Sequence, residues 1–273
     1  TGKKKPYTFD YSYNSFVDKD AGNYASNDTV YNDLGRGVLE NAWNGFNCCL
    51  FAYGQTGAGK SYSMMGYGED KGIIPKAMTE MFQRIEGNST DGIEFHVKVS
   101  MMEIYNEKIR DLFSSTPPPK GGLKVRTHPK KGTYVGNLSE NAVSTYQQVE
   151  AWMERGSAAR TVASTNMNAT SSRAHTVFCV TFSQIKVNPD TKKKTAKVAN
   201  INLIDLAGSE RASATGATGD RLKEGANINK SLSALGNVIN ALAKQAKGGK
   251  KSKVKVPYRD STLTRLLQDA LGG

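Results

Sequence analysis

The chain has 273 residues, 38% hydrophobic and 23% charged, enough apolar content for a sizeable core and an ordinary share of charge for a globular protein. No run of about 18 apolar residues occurs, so a membrane span is not expected, and Thr1-Gly2-Lys3-Lys4-Lys5-Pro6 leads into no apolar segment, so neither is a signal peptide. The formal net charge of +12 calls for an acidic partner: nucleic acid, an anionic membrane or an acidic protein surface.

Residues 29–44 place Val30, Leu34, Val38 and Ala42 at helical spacing, with Asp28 as the N-cap. Residues 46–53 predict a buried strand, and residues 75–85 a helix with Pro75 in its first turn. From Glu94 onward Phe95, Val97, Val99 and Met101 alternate as in a strand, Pro117-Pro118-Pro119 with Gly121-Gly122 marks a surface loop, and residues 145–155 return to helical spacing. Residues 176–187 and 197–206 predict two long strands joined by the turn Asn188-Pro189-Asp190-Thr191, with Lys192, Lys193 and Lys194 in solvent at the hairpin tip. The clearest helix is 227–245, with the stripe Ile228, Leu232, Leu235, Ile239 and Leu242, and Gly248-Gly249 opens a flexible basic loop. Cys48, Cys49 and Cys179 lie in strand-like runs and read as small buried hydrophobes of a reduced, cytosolic protein. This alternation, without a repeat or a clear boundary, predicts a single α/β domain on a central sheet.

Gly54-Gln55-Thr56-Gly57-Ala58-Gly59-Lys60-Ser61 matches the pattern G-x-x-x-x-G-K-[ST], directly after the buried strand and before a helix start. In that setting a glycine-rich turn without a ligand is the weaker reading. Glycines let successive backbone N–H groups turn toward phosphate oxygens, a lysine neutralises the β- and γ-phosphates, and the serine hydroxyl ligates Mg²⁺. Asp205-Leu206-Ala207-Gly208-Ser209-Glu210 follows the apolar residues 198–204. Asp205 at a strand end can hold Mg²⁺ through water, and Gly208 can offer its N–H to a γ-phosphate. Guanine readout would need N-K-x-D, but Asn229-Lys230-Ser231-Leu232 carries leucine in place of the carboxylate, which favours ATP.

Ala52 to Ser61, Asn168-Ala169-Thr170-Ser171-Ser172-Arg173-Ala174-His175 and Asp205 to Glu210 resemble, in order, the P-loop, switch I and switch II of kinesin motors. Asn227 to Leu232 and Pro257-Tyr258-Arg259-Asp260-Ser261 resemble the starts of that family's switch II helix and the next helix, and Ser61-Tyr62-Ser63-Met64-Met65-Gly66 with the lysine-rich loop resembles the kinesin-3 group. The resemblance implies a P-loop NTPase fold, a mostly parallel twisted sheet with helices on both faces. It also implies a microtubule-stimulated ATPase motor in the cytoplasm, on the cytoskeleton. Ser171 and Ser172 then meet the γ-phosphate and Mg²⁺, Arg173 pairs with Glu210 across the closed switches, and Glu210 orders water and takes its proton. Phe46 and Tyr62 are the expected adenine-side residues. Ala174 stands where the family usually has serine, so one polar contact of switch I is missing or replaced by water. The family's first strand, last strand, final helix and neck linker have no counterpart, so a central portion of one motor domain, residues 1–273, is expected.

Lys244, Lys247, Lys250, Lys251, Lys253 and Lys255 lie within 12 residues that hold no acid. By themselves they read as a solvated loop. The resemblance assigns Lys250, Lys251, Lys253 and Lys255 to the acidic tails of tubulin and Arg259 to a more fixed contact on the microtubule. No contact with nucleic acid or membrane is expected. A basic P-loop ATPase on nucleic acid is the first rival, but no aromatics interleave the basic runs for base stacking. The second is a regulatory microtubule-binding module with little turnover. His96, His128 and His175 lack metal-ligand spacing, and His175 reads as a structural histidine.

Overall fold

The computed structural model describes residues 6–88, 92–129, 132–166, 171–188, 191–210, 220–248 and 254–272; the side chains of 162–171 and 220–228 lie outside that description. In chain order come α1 (Asn27–Val30), a π-helical turn (Tyr31–Gly35), α2 (Arg36–Trp43), β1 (Cys48–Ala52), α3 (Lys60–Met64), β2 (Gly66–Tyr67), β3 (Asp70–Lys71), α4 (Ile73–Gly87), β4 (Ile93–Tyr105) and β5 (Lys108–Asp111). There follow β6 (Val125–His128), β7 (Gly132–Val135), β8 (Asn141–Val143), α5 (Tyr146–Asn166), β9 (His175–Val187), β10 (Lys194–Asp205), α6 (Asp220–Gly248) and α7 (Thr262–Leu266).

The main sheet runs β1-β10-β9-β4-β5, with β8 also paired to β4. β1 and β10 are parallel, Cys48 beside Ile201 and Ala52 beside Asp205. The other described pairings of this sheet are antiparallel, so the sheet is mixed, not mostly parallel. The tight β9–β10 connection, where Lys192 at φ 54° donates to Asn188 O at 3.0 Å, forces its two long strands to run oppositely. Antiparallel register sets Thr176 beside Asp205 and His175 beside Ile104. The carboxyl ends of β1, β4 and β10 and the amino end of β9 therefore share one sheet end, the place where α/β sheets bind ligands.

Period-2 alternation divides the core. Phe178, Val180 and Phe182 of β9, with Ile201 and Leu203 of β10, pack on one face with Leu39, Met64, Met78, Met81, Val149 and Met153 of the helices. Val177 and Ile204 point to the other face, against Leu232 and Leu235 of α6 and Leu263, Leu266 and Leu267. Helices thus cover both faces. None of the described helices is long and apolar enough to cross a membrane.

The helix predicted over 145–155 runs on to Asn166 and that over 227–245 begins at Asp220, and two predicted helices differ in the face they bury. The first is capped by Ser26, whose hydroxyl accepts from Asp28 N at 3.2 Å and Thr29 N at 3.3 Å, so Asp28 is not the cap. Its buried face is Tyr31, Gly35, Leu39 and Ala42, about one residue on from the predicted stripe, as a wide π turn requires. A Cβ on Gly35 would overlap the Tyr31 ring, and the Tyr31 hydroxyl donates to Glu80 at 2.8 Å. On α6 the buried residues are Ser231, Leu232, Ala234, Leu235, Val238 and Ala241, while Ile239 is 44% exposed. Small side chains let the helix turn its alanine face to the core, which sequence periodicity weighted toward large residues misplaces.

Candidate active site

β1 ends at Ala52, and the chain turns through Gly57 and Gly59, at φ 80° and 83°, into α3. Only glycine holds those left-handed positions at low cost. Lys60 Nζ lies back over the loop, donating to Gly54 O at 3.0 Å and Gln55 O at 2.8 Å, while Ala58 N donates to Gln55 O at 3.2 Å. The Ser61 hydroxyl donates to the Asp205 carboxylate, joining residues 144 positions apart. This contact follows from the parallel β1–β10 register. A cleft of 350 Å³ opens here, lined among others by Thr56, Lys60, Ser61, Tyr62, Ser172 and Asp205. The oxygens of Ser61, Ser172 and Asp205 suit a hard divalent cation such as Mg²⁺, which takes few protein oxygens and keeps its waters.

The turn after Asp205 is held on both sides. Leu206 N donates to Ala52 O at 3.2 Å and Ser209 N to Gly54 O at 3.1 Å; Gly208 N donates to Ser172 O at 2.7 Å and Ala207 N to His175 Nδ1 at 3.0 Å. A Cβ on Gly208 would overlap Thr56 Oγ1 and the Glu210 carboxylate. Glu210 accepts from Thr56 N at 2.9 Å and from the Thr56 hydroxyl. Burial opposes its ionisation, but these bonds, its own backbone and the charge of Lys60 outweigh burial and lower its pKa from the ordinary value.

His175 is 2% exposed, and burial pushes its pKa down to about 4. The neutral ring accepts at Nδ1 from Ala207, so Nε2 carries the hydrogen and donates to Ser231 Oγ at 2.7 Å.

Three expectations need correction or limits. Here Thr56 supplies two donors to the Glu210 carboxylate, so the pair with Arg173 expected of closed switches is not among the ion pairs of the described residues and is left to that closed arrangement. Phe46 is 64% exposed and precedes β1, at the end away from the P-loop, roughly 26 Å of extended chain from Gly54. It does not line the cleft. Lys250, Lys251 and Lys253, and the side chain of Ser171, lie outside the described residues. Lys255 and Arg259 are exposed, and so are Lys192, Lys193 and Lys194 at the hairpin. Ala174 is buried, 3% exposed, and its methyl offers switch I no hydrogen bond.

The tertiary structure also adds residues. Arg160 of α5 brings Nη1 to 3.9 Å from Asp205 Oδ2 and borders the cleft. Burial raises the pKa of nearby Glu103 against the opposing charges of Arg160 and Arg110. The Tyr67 ring stacks on Tyr62, centroids 6.0 Å apart, at the cleft rim. No motif marks Arg160 or Tyr67. Glu107, in a turn where Asn106 and Glu107 both have positive φ, accepts from Thr262 N at 2.7 Å and so anchors α7 behind Arg259.

Comparison with protein families matches residues 1–273 to the kinesin motor domain. The chain belongs to the kinesin motor domain family. It is 57% identical over 273 residues to Kinesin-related protein 1 of Dictyostelium discoideum, covering 99% of this chain and 12% of that protein. It is 52% identical over 276 residues to Kinesin-like protein KIF1A of Rattus norvegicus, covering 98% of this chain and 16% of the relative. With KIF13A of Mus musculus at 50%, these relatives bear out the chain's likeness to the kinesin-3 group. It therefore spans under a fifth of the length of the curated relatives it matches. Among solved structures it resembles KIF14 residues 391–755 with ADP in complex with a microtubule, at TM-score 0.86 and 46% identity, covering 99% of this chain and 76% of that one. A KIF14 dimer with AMP-PNP in complex with a microtubule matches at TM-score 0.85 and 46% identity, covering 97% of this chain and 73% of that one.

Proposed function

We propose that this kinesin chain, as one motor domain, binds Mg-ATP in the cleft and hydrolyses it under stimulation by microtubules, converting turnover into movement. The observation that carries the reading is the Ser61–Asp205 contact, which joins the phosphate loop to the strand end where a hydrolase needs its carboxylate. The similar KIF14 structures, with ADP or AMP-PNP and in complex with a microtubule, support the nucleotide and the partner.

Backbone N–H groups from Gln55 to Gly59 and the Lys60 ammonium hold the phosphates, with Tyr62 at the adenine side. Ser61, Ser172 and, through water, Asp205 would hold Mg²⁺, which would neutralise phosphate charge when bound. Ser171 and Ser172 turn toward the γ-phosphate. Gly208 N exchanges the Ser172 carbonyl for a phosphate oxygen. Glu210 leaves Thr56 for Arg173, orients the attacking water and takes its proton, leaving ADP and phosphate. Lys250, Lys251, Lys253 and Lys255 attract the acidic tubulin surface from a distance, and Arg259 makes a fixed contact. Neither nucleic acid nor membrane is a partner in this reading. Phosphate release with and without microtubules tests it. Turnover should rise with microtubules and vanish in Lys60→Ala, whereas turnover surviving that substitution sinks the assignment.

A further inference from the structure

We infer that His175 is a positioning residue, a rigid strut that makes the turn after Asp205 and helix α6 move as one. This rests on the motor reading above. The ring is 2% exposed and uses both nitrogens: Nδ1 accepts from Ala207 N at 3.0 Å, and Nε2 donates to Ser231 Oγ at 2.7 Å. Ala207 adjoins Gly208, whose N–H is held by Ser172 O at 2.7 Å and must change partner when a γ-phosphate arrives. Ser231 is buried on α6, whose far end leads into the basic residues 244–255.

An imidazole is planar, and its two nitrogens are fixed relative to each other. A displacement of Ala207 must then either leave a buried N–H without its acceptor or carry Ser231 with it. Losing a buried partner is the costlier course, so the helix follows. The other three N–H groups of the turn go to backbone carbonyls of Ala52, Ser172 and Gly54. The Ala207–His175–Ser231 link thus adds a hydrogen-bonded path from this turn to α6, beside the apolar packing of Leu206 and Ala207 with Leu232 and Leu235. Its role needs one tautomer and no change of protonation.

Substitutions divide the strut. His175→Asn keeps an acceptor at the Nδ1 position and loses the reach to Ser231; His175→Gln keeps that reach and loses the acceptor; Ser231→Ala removes the far partner alone. The test measures affinity for a fluorescent ADP analogue with and without microtubules, and microtubule affinity with and without ADP. In the parent, microtubules should weaken ADP binding. In each variant that effect should shrink about tenfold, the scale of one buried hydrogen bond, and by linkage the effect of ADP on microtubule affinity should shrink equally. Ser231→Ala should bind the ADP analogue alone as the parent does, and His175→Asn with Ser231→Ala should be no worse than either single change. Amide exchange of residues 229–241 with and without ADP gives a readout free of microtubules: ADP should slow it in the parent and not in Ser231→Ala. Lower melting temperatures with full coupling, or equal ADP protection in parent and Ser231→Ala, would overturn the strut. A parent whose ADP affinity ignores microtubules instead refutes the motor reading, and the exchange arm still decides the strut.

Discussion

Acidification should destabilise this chain through His175 in a way one substitution can isolate. In the folded protein burial keeps the imidazole neutral, with its pKa pushed down from 6.5 to about 4; in the unfolded chain it takes a proton near the ordinary value. Between those limits the unfolded state binds more protons, so stability is complete above pH 6.5 and falls as pH drops toward 4. At about 1.36 kcal/mol per pH unit, the interval from 6.5 to about 4 corresponds to about 3 kcal/mol, of which about 2 kcal/mol is gone by pH 5. Protonation would also place a hydrogen on Nδ1 against the Ala207 N–H, 3.0 Å away, so the folded state has no room to relax. Carboxylates titrate in the same range, and the difference between parent and His175→Asn removes them. Urea unfolding of both proteins at intervals from pH 7.5 to 4.5 is the assay. The variant should be less stable than the parent at pH 7.5 and should close that gap by about 2 kcal/mol at pH 5. Parallel curves for the two proteins would refute the assignment of a buried neutral imidazole.

Glu210→Ala should retain ATP binding and lose hydrolysis, measured as nucleotide affinity beside single-turnover phosphate release. Phe182→Ala should lower the unfolding free energy by about 4 kcal/mol, because Phe182 is 1% exposed and packs on Trp43 and Phe95 at centroid distances of 5.1 and 6.0 Å; denaturant titration checks it. Replacing Lys250, Lys251, Lys253 and Lys255 by alanine should slow microtubule association and flatten its salt dependence, with turnover at saturating microtubules little changed. Stopped-flow association at two ionic strengths reads this, and Arg259→Ala should instead act on release.

Much of the site was legible because its chemistry is local. Gly54 to Ser61 needs a strand before it and glycines within it, and residues 48–52 and Gly57 and Gly59 at positive φ meet those needs. Asp205 to Glu210 could be recognised for the same reason, as a polar turn at the end of an apolar strand. The long strands, and the helices over 75–85, 145–155 and 227–245 though not their full extent, followed from periodicity, since burial on one face repeats every 2.0 or 3.6 residues.

What the tertiary structure decided concerns partners brought together from distant parts of the chain. Arg160 reaches Asp205, Thr56 holds Glu210, and His175 joins Ala207 to Ser231, contacts set by strand register and helix packing that leave no local pattern. Phe46 was misplaced because the family resemblance was followed over the strand reading, which already sets Phe46 at the end of the strand away from the P-loop. Ile239 was misplaced because α6 turns alanines and Ser231 inward, a choice made by its packing on α7 and not by hydrophobic spacing. Spacing along a chain determines what each segment can do alone. Which polar atoms satisfy one another is settled only when the sheet aligns the ends of β1, β9 and β10, because a hydrogen bond depends on a separation of about 3 Å that no one-dimensional pattern encodes.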